Sequence, residues 1–302
     1  MLAHHLGSSE RNRRYCKTRS VEECEMNLER FLKAMKTDYI DVANVHFIRN
    51  TEEYEEVTRP GSILDLATNL KEEGLARLVG ISTHEAYLVK RAAEDGRFDV
   101  IMYQVNMAGN AVPGRGEALA SCARNRVGVL AMKPFAGGKL LMHNRSIKFN
   151  KWQTGGPAVK KDAPAFVTPV QCLSYTLSQV GVCTAVTGVS KIAEIEGVLH
   201  YLEASQEERD YSGLLKQFEE YAQGECTYCD HCLPCPAGIE IGQVIRLVET
   251  AKGGMTEDVK AAYSKMGALV SGCTRCGECL DRCPFGVDII AKMNEAALAF
   301  GR

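Results

Sequence analysis

The chain has 302 residues, 45% hydrophobic and 25% charged, with 27 Gly against 9 Pro, which excludes a disordered or collagen-like protein. Its formal net charge of −2 gives no general pull toward nucleic acid or an anionic membrane. No apolar run is long enough to span a bilayer, and Met1 to Glu10 shows no basic stretch followed by an apolar core, so the sequence reads as cytoplasmic.

From Val21 to Lys36, apolar residues recur three or four apart, which predicts an amphipathic helix with Ser20 as N-cap. Tyr39 to Phe47 is rich in Val and Ile, as a buried parallel strand should be. Helix is then expected over Ser62–Leu75, Glu85–Glu94 and Gly116–Arg126, with strands at Arg77–Ser82, Phe98–Val105 and Val127–Met132. Beyond a long loop containing Gly155-Gly156-Pro157, Pro169–Val180 reads as helix and Val182–Thr187 as strand. Ile192–Glu203 and Tyr211–Gln223 close this part as helices. Strands alternating with crossover helices imply a parallel sheet covered by helices. No GxGxxG follows an early strand, which argues against a dinucleotide fold of the Rossmann kind.

Counting a short strand near Tyr15 to Thr18, six strands are expected. Polar residues gather just after their C-terminal ends: Lys17, His46, Ser82-Thr83-His84, Asn106, Lys133 and Gly188 to Lys191. In an α/β barrel that end carries the active site, because the βα loops converge there. Singly, each residue has a bland reading: Lys17 sits on a basic edge, and a lone His is more often structural than catalytic. Their shared face is the informative feature.

Lys17-Thr18, the Leu28–Leu32 run, Thr37-Asp38-Tyr39-Ile40-Asp41, Leu70–Gly74, Val79–Ser82 and Ala131–Gly138 together resemble the aldo-keto reductase superfamily, from about Leu2 to Leu199. Within it the chain is similar to the branch whose barrel precedes a cysteine-rich, ferredoxin-like tail. The resemblance implies a (β/α)8 barrel of the TIM type, here incomplete, with about six strands and the first two missing. It implies NADPH as cofactor and a small carbonyl compound as substrate. By motif position Lys17 and His46 correspond to two members of the family's Asp-Tyr-Lys-His tetrad. Ser82 corresponds to the nicotinamide-amide contact, with Thr83 at the usual Asn. Asn106 and Lys133 fall among the cofactor-binding strand ends, and Gly188, Ser190 and Lys191 match the loop near the adenosine 2′-phosphate. Met102 stands where many relatives have Gln. Met1 to Leu6 resembles the middle of the family's second helix. No proton-donating Tyr is assigned, Tyr15 included, so carbonyl reduction by this chain is expected to be weak or absent.

Thirteen residues are Cys, and eight of them fall between positions 226 and 283. The change in composition at Gln223-Gly224 divides the chain into residues 1–223 and 224–302. Cys226, Cys229, Cys232 and Cys235-Pro236 are spaced by two residues, and Cys273, Cys276, Cys279 and Cys283-Pro284 nearly repeat the pattern. Three Cys so spaced wrap a loop around one cubane, while the fourth, before Pro, ligates the other cluster of a pair. Cys226, Cys229, Cys232 and Cys283 would then hold one 4Fe-4S cluster, and Cys235, Cys273, Cys276 and Cys279 a second. Zinc ribbons and disulfides fit less well, since zinc favours ligand pairs and the chain shows no secretory signal. Ile241–Ala251, Asp258–Met266 and Ile289–Phe300 read as helices, which makes the tail a small α-helical ferredoxin-like domain.

The leading expectation is an oxidoreductase with an iron–sulfur electron-transfer domain. The alternative is an electron-transfer or redox protein that uses the barrel as a scaffold. Either would need an electron-transfer partner, and an incomplete barrel would expose sheet edges through which copies could associate.

Overall fold

The computed structural model describes residues 1–11, 14–110, 112, 114–141, 167–215, 226, 232–252, 254–283 and 286–301. In chain order the first elements are β1 (Ala3–Leu6), β2 (Ser8–Arg11), β3 (Arg14–Lys17), α1 (Val21–Met35), β4 (Ile40–Ile48), α2 (Thr51–Thr58), α3 (Ile63–Glu72) and β5 (Ala76–Thr83). They are followed by α4 (Ala86–Asp95), β6 (Val100–Gln104), α5 (Arg115–Arg124), β7 (Gly128–Met132), α6 (Pro169–Leu177), β8 (Val182–Val186) and α7 (Ile192–Leu199). Two single turns, α8 (Gln206–Arg209) and α9 (Ser212–Leu215), come next, then α10 (Ile241–Ala251), α11 (Glu257–Ser264), α12 (Glu278–Asp281) and α13 (Ile289–Phe300).

Six strands pair in the order β1-β4-β5-β6-β7-β8, all parallel, with β2 and β3 forming a separate antiparallel hairpin. With its crossover helices this is a TIM-barrel-like α/β fold. The expected helix at the N-terminus is corrected: Ala3–Leu6 is a strand whose partners run from Ala3↔Val42 to Leu6↔Val45. The short strand at Tyr15 to Thr18 is corrected too, because Arg14–Lys17 pairs with Ser8–Arg11 and not with the parallel sheet. The reason is reach. A four-residue strand shows no helical period, and an apolar–polar alternation this short is decided by the partner it finds. Most of the helix predicted for Tyr211–Gln223 lies outside the described residues.

Ser20 caps α1 by accepting from the Glu23 N–H at 3.2 Å, as the sequence predicts. The helix-facing side of the sheet forms the main core, including Leu6, Ala43, Val45, Val79, Ile81, Ile101, Tyr103, Val129 and Ala131. Each fully buried Leu, Ile or Val there contributes about 1.5–3 kcal/mol. Among the described residues no helix is long and apolar enough to cross a membrane.

The chain divides into two compact units, residues 1–134 with 170–211, and residues 135–169 with 212–302. The second unit thus takes in residues well before the expected division at 223/224. Lys139, in that segment, pairs with Glu249 of α10 at 3.6 Å. The core of this unit is built from α10 and α13, through Val244, Ile245, Val248, Ile289, Met293 and Ala296.

Candidate functional site

Residues two apart on a strand share a face. On the face of the sheet away from the helix-packed core, Ala3, Val42, Leu78, Val100, Met102, Leu130 and Met132 make a second apolar cluster. Continuing each strand toward its C-terminal end, the same face carries His5, Asn44 with His46, Ser82 and Gln104. An apolar floor therefore gives way to polar side chains along one end of the sheet. Met102 belongs to the floor, 7% exposed, so no polar contact is available at that position. His4, one residue along, faces the other way and lies against Phe31 of α1 with ring centroids 4.7 Å apart. Burial, reinforced by His5, pushes its imidazole down to about 4.

The most closely knit group is His5, Asn44 and His46. Asn44 Nδ2 lies 2.9 Å from His5 Nδ1, and His46 Nδ1 lies 3.1 Å from the same nitrogen. The imidazole rings meet edge to face, centroids 4.6 Å apart. Burial lowers the His5 pKa from its ordinary value. Reading the sequence did not find His5 or Asn44. Alternation along β4 from Val42 would have pointed to Asn44, but His5 was hidden by the assignment of its segment to a helix.

His46 and Phe47 sit in a β-bulge, where the register of β4 against β5 shifts between Val45 and Ile48. Phe47 has φ 53°, a left-handed conformation that strains an aromatic residue and costs about 1–3 kcal/mol. Bulges re-aim side chains, and this one is clamped from both sides. The Phe47 N–H donates to Ser82 Oγ at 3.0 Å, while the Arg19 guanidinium donates to the carbonyls of His46 at 2.7 Å and Phe47 at 3.0 Å. Arg19 is 3.5 Å from the Glu53 carboxylate, which also takes Lys17 at 2.6 Å and the Arg49 side chain. Burial alone would raise the Glu53 carboxyl, but hydrogen bonds from Arg49 and Lys17 outweigh it and hold the group below its usual range. Burial and the neighbouring Arg19 push Lys17 down to about 8, against the pull of Glu53. Lys17 therefore stands on the β2–β3 hairpin, ion-paired, with its ammonium 5.7 Å from the Phe47 ring centre. The structure brings His46 to His5 and Lys17 to Glu53.

The remaining expected residues follow β5, β6, β7 and β8. Ser82 is 2% exposed and committed to the bulge. Asn106 donates to the Lys133 carbonyl and accepts from the Gly109 N–H, each at 3.0 Å, which ties the loop after β6 to that after β7. Lys133 turns the chain with φ 57°. Gly188, Ser190 and Lys191 lie in the exposed turn between β8 and α7, with Lys191 as N-cap. The Glu194 carboxylate accepts from the Ser190 N–H at 2.6 Å and its hydroxyl at 3.1 Å. The turn thus already binds one anionic group through donors that suit a phosphate, with a cation adjoining.

In the second unit, Cys232, Cys235, Cys273, Cys276 and Cys279 line one pocket, with Ile239, Ile289 and Met293 forming its apolar wall. The whole expected second ligand set is present in it. Burial raises the Cys279 thiol pKa, and the neighbouring Cys276, Cys273 and Cys235 add to the shift. Among the described residues no three His, Cys, Asp or Glu side chains converge closely enough to hold a metal ion as they stand. Gly277, with φ 86°, turns the chain between Cys276 and Cys279 as few other residues could. Of the first set, Cys226 and Cys232 are buried in the core with Cys283 packed against them, and Cys229 lies outside the described residues.

Residues 10–214 match the model of the aldo/keto reductase family, and residues 225–288 match the 4Fe-4S dicluster domain. An uncharacterized oxidoreductase of Bacillus subtilis is 25% identical over 181 residues, covering 56% of this chain and 56% of that protein. The chain thus matches little more than half the length of that curated relative. An aldo-keto reductase of Bacillus halodurans, solved in its holo form, superposes with a TM-score of 0.51 at 21% identity, covering 72% of this chain and 76% of its own. That likeness is one of fold.

Proposed function

The chain belongs to the aldo/keto reductase family and carries a 4Fe-4S dicluster domain; from this premise we propose that it reduces a small carbonyl compound with NADPH at the C-terminal end of its parallel sheet. The observation that carries the reading is the bulged, clamped His46 at the rim of an apolar floor. Bound along that end, NADPH would supply a hydride to the carbonyl carbon.

With no Tyr assigned as proton donor, His46 is the proposed donor to the carbonyl oxygen in its place. Lys17 acts from the side: it holds Glu53, which with Arg19 secures the bulge. Ser82, Asn106 and Lys133 shape the strand ends that would face the nicotinamide. Gly188, Ser190 and Lys191 would take the 2′-phosphate, which would replace Glu194 on the Ser190 donors. In the second unit Cys226, Cys229, Cys232 and Cys283 are the proposed ligands of one cluster, and Cys235, Cys273, Cys276 and Cys279 those of the other. These clusters would pass single electrons to a redox partner.

The test is anaerobic NADPH oxidation by the iron-loaded chain, with an aldehyde and a quinone as substrates. One alcohol formed per NADPH consumed supports the reading. A second reading, favoured by the sulfur-lined cavity, is a redox protein with the sheet region as scaffold. It predicts reversible one-electron reduction of the clusters with no carbonyl turnover. Both readings leave β1 and β8 at the open ends of the strand order, and copies of the chain would associate there.

A further inference from the structure

We infer that His5, fixed by Asn44, is the proton partner of His46 in carbonyl reduction, a positioning residue that decides which ring nitrogen of His46 carries its proton. The inference rests on the carbonyl-reduction reading and specifies how its donor is held.

Asn44 Nδ2, which can only donate, lies 2.9 Å from His5 Nδ1, so in this amide orientation that nitrogen is an acceptor whose one lone pair is shared with His46 Nδ1. The proton in the 3.1 Å contact between the two Nδ1 atoms therefore comes from His46. In the inferred arrangement neutral His46 carries its proton on Nδ1 and neutral His5 on Nε2. Asn44 is itself a costly choice: it is fully buried, and its Oδ1 has no hydrogen-bond partner among the described residues. An unmet buried amide oxygen costs about 1–3 kcal/mol, and such a group calls for an explanation. Its contact with His5 supplies one. Room for Asn44 depends on Gly80, where a Cβ would lie 2.7 Å from Oδ1 and 2.9 Å from methyl groups of Val42 and Val100.

With one added proton the two rings hold three N–H protons on four nitrogens, one between the Nδ1 atoms and one on each Nε2. The carbonyl carbon accepts the hydride that NADPH supplies, leaving NADP+, and the C=O π pair moves onto oxygen. Oxygen takes the Nε2 proton of His46, completing the alcohol. His46 keeps the Nδ1 proton and donates it to His5, so neither ring becomes an imidazolate. The arrangement that remains is the one in the structure, and a proton from water restores the starting charge.

The iron-loaded full chain is compared as wild type, His5→Phe, His5→Asn and, as a distant control, His200→Gln. NADPH affinity, reduction of 4-nitrobenzaldehyde and 9,10-phenanthrenequinone, and the ring-nitrogen NMR signals of His46 are measured. His5→Phe is expected to lower kcat about 10²-fold or more with NADPH affinity unchanged. His5→Asn, whose amide oxygen still accepts from His46 Nδ1, should recover about tenfold of that loss. His46 should be protonated on Nδ1 in wild type and His5→Asn, and lose that preference in His5→Phe. Unchanged kcat in His5→Phe, or neutral His46 protonated on Nε2 in wild type, would overturn the inference. If wild type itself reduces neither probe, the carbonyl-reduction reading fails, and the nitrogen signals alone decide whether His5 sets the tautomer of His46.

Discussion

In the parallel-sheet unit His5, Asn44, His46 and Ser82 are held by strand register and by hydrogen bonds to other protein groups. In the cysteine-rich unit Cys235, Cys273 and Cys276 lie outside regular helix, on turns around a cavity, with Cys279 on a single helical turn. Backbone pairing is sufficient to build the first geometry. The second gathers thiols that are isolated from any such ladder, and a bound metal cluster is what would fix them. The two regions should therefore respond differently to metal, to core truncation and to acid.

The largest effect expected is from metal removal. Anaerobic protein should be brown and contain on the order of eight iron and eight sulfide per chain. Chelation should abolish cooperative unfolding of the second unit while the first keeps its own transition, as followed by calorimetry. Cys276→Ser should cut iron to about four per chain. Cys172→Ser, whose buried thiol is pushed up to about 12, should leave iron unchanged. Stoichiometric zinc in a colourless protein would remove the cluster assignment.

Core truncation sharpens the contrast from the other side. Ile101 is fully buried in the sheet, so Ile101→Ala should destabilise the first unit by about 2–5 kcal/mol. Iron content should not change, and denaturant melts with parallel iron analysis would show a coupled loss if the two regions were one system.

Acid should weaken the first unit through His4, whose pKa falls from 6.5 to about 4 on folding. Between those values the unfolded chain binds a proton that the folded chain refuses, so stability present above pH 6.5 is lost as pH falls toward 4. The loss from this group is at most about 3 kcal/mol. His4→Phe should flatten that part of the stability–pH curve; an unchanged slope would place the acid sensitivity elsewhere. The smallest effect expected is at Lys191. Lys191→Glu should weaken NADPH about tenfold, or about 1.4 kcal/mol, with little change for NADH, because only NADPH carries the 2′-phosphate. Equal losses for both nucleotides, measured by fluorescence titration, would remove Lys191 from the site.

The sequence by itself determined what is local and repeated. The helix of α1 with its Ser20 cap, the exact spans of α10 and α13 and the spacing of the eight tail cysteines are all legible from periodicity or motif. It also identified His46 as a residue at a strand end. Only the tertiary structure decided what His46 meets. Four residues, Ala3 to Leu6, become a strand because β4 lies beside them, and one residue's difference in register would turn His5 to the helix side and His4 to the site. Lys17 pairs with Glu53 because the β2–β3 hairpin places it there, some 36 positions away in the chain. Such contacts depend on strand register and hairpin pairing between distant segments, which no window of neighbouring residues encodes.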